Sequence, residues 1–169
     1  WEIADEPVWQ EMEFEPLFRK YETVRDWDPV HPVWMNHAPQ NELEEIAKYN
    51  QACDITGVDI YPYYPIKQHH FPNTDISVVG EYTEWILESV NYEKPAIVVL
   101  QGYGLNDEFG QMRPTVHELR FMVYNCIVKG AAGIVFFGTS GMYDGSNGSS
   151  VTKVTEELAK PHDVLAVTS

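Results

Sequence analysis

The chain has 169 residues, with 26 Asp and Glu against 11 Lys and Arg, for a formal charge of −15. Such a surface repels phosphate backbones and anionic lipid headgroups, so neither nucleic acid nor a membrane is expected as a partner. A chain of about 150 residues already buries roughly two-thirds of its unfolded surface, so one domain with its own core is expected, and no run reaches the ~18 apolar residues of a membrane span.

Taken in chain order, short apolar strands alternate with amphipathic helical stretches, the pattern of βα units and a parallel sheet. The first strand is expected at Trp1–Ala4, running into a loop that begins Asp5-Glu6-Pro7. A helix over Phe14–Val24 leads to a second strand at Pro32–Asn36, followed at once by His37. A helix over Asn41–Gln51 precedes a third strand at Ile55–Tyr61, and Ser77–Val90 gives the next helix. Pro95–Gln101 (PAIVVLQ) and Gly133–Gly138 (GIVFFG) are nearly continuous apolar runs, as strands covered on both faces require. Between them a helix is expected over Pro114–Lys129, where Thr115 and Glu118 have capping-box spacing. The stretch SGMYDGSNGSS reads as an exposed loop before a last helix over Val151–Ala159. Cys53 and Cys126 are far apart, lack metal-ligand spacing and read as core thiols. The histidines show no zinc-site spacing, so neither a catalytic metal nor a cofactor is expected.

Polar and aromatic residues gather at one end of these strands: Asp5-Glu6, Asn36-His37, Asp59 with Tyr61 and Tyr63, and Gln101. A (β/α)₈ barrel keeps its active site at the C-terminal strand ends. A doubly wound open sheet would carry a Gly-rich phosphate turn after a strand, and Gly102-Tyr103-Gly104 lacks the rest of one. The expected fold is therefore α/β, a partial (β/α)₈ TIM barrel of about five βα units. A whole barrel takes about 250 residues, so residues 1–169 are expected to form the C-terminal part of a single barrel domain.

The segment WEIADEP sets an acid at the end of a strand, and Pro7 is expected to hold Glu6 extended with its carboxyl in the barrel mouth. Glycosidic cleavage needs a carboxylic acid to protonate the departing oxygen and usually a second carboxylate. Alternation puts Asp59, Tyr61 and Tyr63 on one side of the third strand, which makes Asp59 the expected second group. Glu81 and Glu84 read as helix-surface residues. Sugar rings have apolar faces, so tyrosines beside polar groups suit a sugar site.

WEIADEP resembles the strand-four segment of the large clan of (β/α)₈ retaining glycoside hydrolases, clan A, in which an acid/base Glu precedes Pro. GVDIYPYYP is similar to the strand-six segment of those enzymes, and HELRFMVYNCIVKGAAGIVFFG to their seventh helix and eighth strand, so the likeness covers most of the chain, strands four to eight. It implies Glu6 as acid/base, with Asp5 where an Asn usually holds the sugar 2-hydroxyl. The clan's nucleophilic Glu, at the end of strand seven, is matched by Gln101 in KPAIVVLQGYG, and an amide is not a nucleophile.

The resulting expectation is a glycosidase acting on an oligo- or polysaccharide, with Glu6 and Asp59 catalytic and with Asp5, Asn36, His37, Tyr61, Tyr63, Gln101 and Tyr103 around the sugar. The alternative is a carbohydrate-binding barrel that has lost its nucleophile. A polysaccharide substrate favours an extracellular or periplasmic location.

Overall fold

The computed structural model describes residues 1–62, 73–103, 114–138 and 148–159. Five parallel strands lie in one sheet in chain order: β1 (Glu2–Asp5), β2 (Trp34–His37), β3 (Ile55–Ile60), β4 (Ala96–Gln101) and β5 (Gly133–Phe137). A helix follows each one: α1 (Phe14–Trp27), α2 (Leu43–Tyr49), α3 (Val78–Glu88), α4 (Val116–Val128) and α5 (Gly148–Leu158). The architecture is the expected section of a TIM barrel. No described helix is long and apolar enough to cross a membrane.

The helix starts follow local chemistry. At α4 the Thr115 hydroxyl accepts from the Glu118 amide at 3.3 Å and the Glu118 carboxylate accepts from the Thr115 amide at 2.7 Å, closing the predicted capping box. The helix α5 begins at Gly148, three residues before the expected Val151, so the end of the predicted loop is already helical. A short 3₁₀ turn, Asn50–Ala52, continues α2 toward β3.

Strand parity divides the sheet into two faces. Val58 and Ile60 of β3, Ala96, Val98 and Leu100 of β4, and Ile134 and Phe136 of β5 pack with Ile86, Leu119, Met122 and Cys126 from the helices. Nearer the β1 edge of the sheet, Ile3, Val33 and Met35 pack with Leu17, Ala52 and Cys53. Each fully buried aliphatic side chain in these clusters contributes about 1.5–3 kcal/mol of burial free energy. Both thiols are buried as expected, and burial pushes Cys53 up to about 12 and Cys126 up to about 11, which keeps them protonated and unreactive.

The opposite face carries Trp34, Asn36, Gly57, Asp59, Ile97, Val99, Gln101, Val135 and Phe137, with Asn36, Gly57 and Ile97 level across β2 to β4. This is the face a barrel turns inward. The β1 and β5 edges carry no described partner strand, and Val135 and Phe137 are 44% and 46% exposed.

Gly57 is set by this inner layer. A Cβ there would stand 2.5 Å from Nε1 of Trp34 and 3.0 Å from the Ile97 carbonyl oxygen, so the indole occupies the space a side chain would take. Gly57→Ala is expected to lower stability by about 1–3 kcal/mol, the cost of overpacking. A urea midpoint unchanged from wild type would show that the indole moves aside freely.

Candidate active site

The C-terminal end of the sheet brings together groups from β1, β2 and β3. Asp5 closes β1 opposite Asn36 in the strand register, and the Asn36 amide donates to Oδ1 of Asp5 at 2.9 Å. The chain then turns. The Glu6 amide still donates to the Asn36 carbonyl at 2.9 Å, its own carbonyl accepts from Gln10 at 2.9 Å, and Pro7 accepts from Met12 at 2.9 Å. These bonds fold residues 6–12 into a tight turn and put Glu6 at φ 45°, in the left-handed region rather than the extended conformation expected before proline. The loop hydrogen bonds override the local preference.

That turn leaves Glu6 half-buried beside Asp59. Burial raises the Glu6 pKa most, the charge of Asp5 adds to this, and a hydrogen bond between the Glu6 and Asp59 carboxyls opposes it. Asp59, 8% exposed, is pushed up to about 7 by burial first and by Glu6 next, against a hydrogen bond from the Tyr61 hydroxyl. The Tyr61 hydroxyl is itself raised, by burial and by Asp59. Two carboxyls joined this way hold a proton between them near neutral pH, and a proton available at a partly buried carboxyl is what general acid catalysis requires. Hydrogen-bonded carboxyls stand closer than the ~5–5.5 Å or ~6.5–9.5 Å that separate the two groups of retaining and inverting glycosidases.

Above the carboxyls lies an aromatic group. The ring of Tyr61 meets Tyr103 edge-on at 5.4 Å and stacks on Phe137 at 5.8 Å, and Tyr103 meets Phe137 edge-on at 6.0 Å. Phe137 was not foreseen. Its parity with Val135 on the inner face is the signal that points to it. Tyr103 is buried, and Gln101 is 0% exposed, its amide donating to the Tyr103 carbonyl at 3.1 Å. Tyr63 lies outside the described residues.

His37 does not join the group. One position past Asn36, it has the parity of Val58 and faces the helices, where Nε2 sits 3.0 Å from Oδ1 of Asn50. Asn50 in turn donates to Ser89 at 2.8 Å, and Lys94 donates to the Asn50 and Cys53 carbonyls at 2.7 Å each. Burial lowers His37 to about 4, so the ring is neutral and serves the helix side of the sheet. Glu81 and Glu84 stay at the helix surface as expected, bonded to Asn73 at 2.6 Å and to Lys129 at 2.9 Å. Among the described residues no group of three or more His, Cys, Asp and Glu is placed to hold a metal ion.

Solved structures similar to this chain are glycoside hydrolases. A β-galactosidase from the Antarctic haloarchaeon Halorubrum lacusprofundi is 16% identical, with a TM-score of 0.65 over 84% of this chain and 25% of its own. A β-galactosidase from the psychrophilic Marinomonas ef1 is 13% identical, with a TM-score of 0.66 over 85% of this chain and 26% of its own. An uncultured Clostridium sp. β-glucuronidase is 16% identical, with a TM-score of 0.58 over 93% of this chain and 31% of its own. At these identities the likeness shows the fold, and the chain spans about a quarter to a third of the structures it matches. No protein-family model and no curated protein matches the sequence.

Asp59 gives a sign-definite pH dependence. Its folded-state pKa lies above the ordinary value of about 3.9, so its burial destabilises the fold above pH 7, and that penalty disappears as pH falls toward 4. Asp59→Asn is expected to stabilise the protein at pH 8, on the order of 2–4 kcal/mol, with the gap closing by pH 4. Chemical denaturation at both pH values measures it, and a variant less stable than wild type at pH 8 contradicts the electrostatic assignment.

Proposed function

We propose that residues 1–169 are the C-terminal part of a single barrel catalytic domain that cleaves O-glycosidic bonds in an oligo- or polysaccharide, with Glu6 as general acid. The observation that carries this reading is the half-buried Glu6 carboxyl, at a C-terminal strand end, sharing a hydrogen bond with a buried Asp59. Glu6 delivers its proton to the departing oxygen. Asp59 keeps that proton in place in the free enzyme and, once ionised, opposes the positive charge that develops at the sugar ring. Asp5 and Asn36 bind hydroxyls, as the resemblance to the clan A enzymes implies, and the ring of Phe137 with Tyr61 offers an apolar platform. Work on a polysaccharide suits an extracellular or periplasmic location.

Gln101 favours a second reading, a barrel that binds carbohydrate without cleaving it. In the resembling clan this position holds the nucleophile, and here it is a fully buried amide that donates to the Tyr103 carbonyl.

For the first reading, Glu6→Gln in the full polypeptide is expected to reduce hydrolysis of oligosaccharides and aryl glycosides by about 10²–10⁴, the range for losing a general acid, while the fold persists. Release of reducing ends and aglycone is the measurement. Undiminished turnover removes Glu6 from the chemistry. Gln101→Glu separates the readings: a gain of hydrolysis in an otherwise inactive barrel supports loss of the nucleophile, whereas an active wild type that gains nothing supports the first.

A further inference from the structure

We infer that Gln10 is a positioning residue for the acid: bonded to the peptide on each side of the Glu6 Cα, it holds the backbone turn that brings the Glu6 carboxyl to Asp59. The inference rests on the reading of Glu6 as general acid and adds the residue that aims it. Two peptide planes meet at the Glu6 Cα, and their relative orientation is the φ and ψ of that residue. The Asp5–Glu6 peptide is held at both ends. Its N–H donates to the Asn36 carbonyl at 2.9 Å, and its carbonyl accepts from Nε2 of Gln10 at 2.9 Å. The Glu6–Pro7 peptide has no N–H to give, because proline lacks one. Its carbonyl is its remaining polar group, and it accepts from the backbone amide of Gln10 at 2.9 Å. One residue thus grips both planes, through its side chain and through its main chain.

The grip matters because Glu6 stands at φ 45°, against the preference of a residue with a side chain and of any residue before proline. Return to the extended conformation turns one of the two carbonyls away from Gln10 and breaks its bond. The rest of the turn is anchored elsewhere. The Met12 amide donates to the Pro7 carbonyl at 2.9 Å, the Glu11 amide to the Val8 carbonyl at 3.1 Å, and the Tyr49 hydroxyl, from α2, to the Met12 carbonyl. Gln10 itself is exposed, so changing its side chain opens no cavity in the core. Losing that side chain therefore frees the Asp5–Glu6 peptide while the frame of the turn stays in place. The groups that face the Glu6 carboxyl are Asp5, Asp59 and Tyr61. A carboxyl that swings away from them is more solvated, is easier to ionise and stands off the line of proton transfer.

The test is Gln10→Met in the full polypeptide, which keeps the length of the side chain and removes its N–H donors, compared with wild type and Glu6→Gln on aryl glycosides. The expected result is a kcat lower by about tenfold or more, the scale of a misplaced catalytic group, with KM within about twofold of wild type. The alkaline limb of the kcat profile, where the acid loses its proton, should also move to lower pH. An unchanged kcat overturns the proposal, and so does a lower kcat with the alkaline limb unmoved, which is what a merely structural role gives. If Glu6→Gln is impaired and Gln10→Met is not, the positioning role fails and the glycosidase reading stands. If Glu6→Gln is as active as wild type, that reading itself fails. Where wild type cleaves nothing, carbon-13 NMR of protein labelled at the glutamate carboxyls decides, with the Glu6 signal identified by its loss in Glu6→Gln. A lower titration midpoint for Glu6 in Gln10→Met supports the proposal, and an unchanged midpoint overturns it.

Discussion

The site depends on strand parity. A β-strand that packs against helices on one face has a single choice of register, and a shift of one residue exchanges every side chain between the two faces. In β3 that choice sends Val58 and Ile60 into the helix-facing core and Gly57 and Asp59 to the inner face. The burial of the aliphatic set therefore also holds Asp59 beside Glu6. Asp59 costs free energy where it stands, and the apolar residues on either side of it in sequence supply the opposing free energy that keeps it there.

The same residue links stability to chemistry. A carboxyl pushed up to about 7 by burial and by a neighbouring acid is a poor choice for folding at neutral pH and a useful one for holding a transferable proton. Tyr61 moderates the conflict. Its hydroxyl bonds to Asp59 while its ring closes the aromatic group with Tyr103 and Phe137, so one side chain joins the proton-holding pair to the apolar surface above it.

The fold was legible in the sequence because its signal is the alternation of strand and helix, and all ten elements lie within a few residues of their expected places. The convergence of Asp5, Glu6, Asn36, Asp59 and Tyr61 followed from strand-end positions alone. Parity was harder to see. In PAIVVLQ both faces are apolar, so nothing in the run separates Ile97 and Val99 from Val98 and Leu100, or singles out Phe137 one strand later. His37 misled for a related reason: nearness to a strand end was read as membership of the mouth, yet the residue after Asn36 must face the other way. The backbone at Glu6 escaped prediction because its cause is nonlocal, an amide bonded across to β2 and a carbonyl bonded forward to Gln10.

The left-handed backbone at Glu6 bears on how this segment can evolve. Residues that adopt φ 45° most readily are Gly and, among those with side chains, Asn or Asp, while a Glu there carries roughly 1–2 kcal/mol of conformational cost. Folding alone thus favours replacing Glu6 by a shorter residue, and the raised pKa of its carboxyl adds to that pressure. Glu6 therefore stands in this turn against both its backbone preference and its electrostatics, held there by the hydrogen bonds of its own amide and carbonyl.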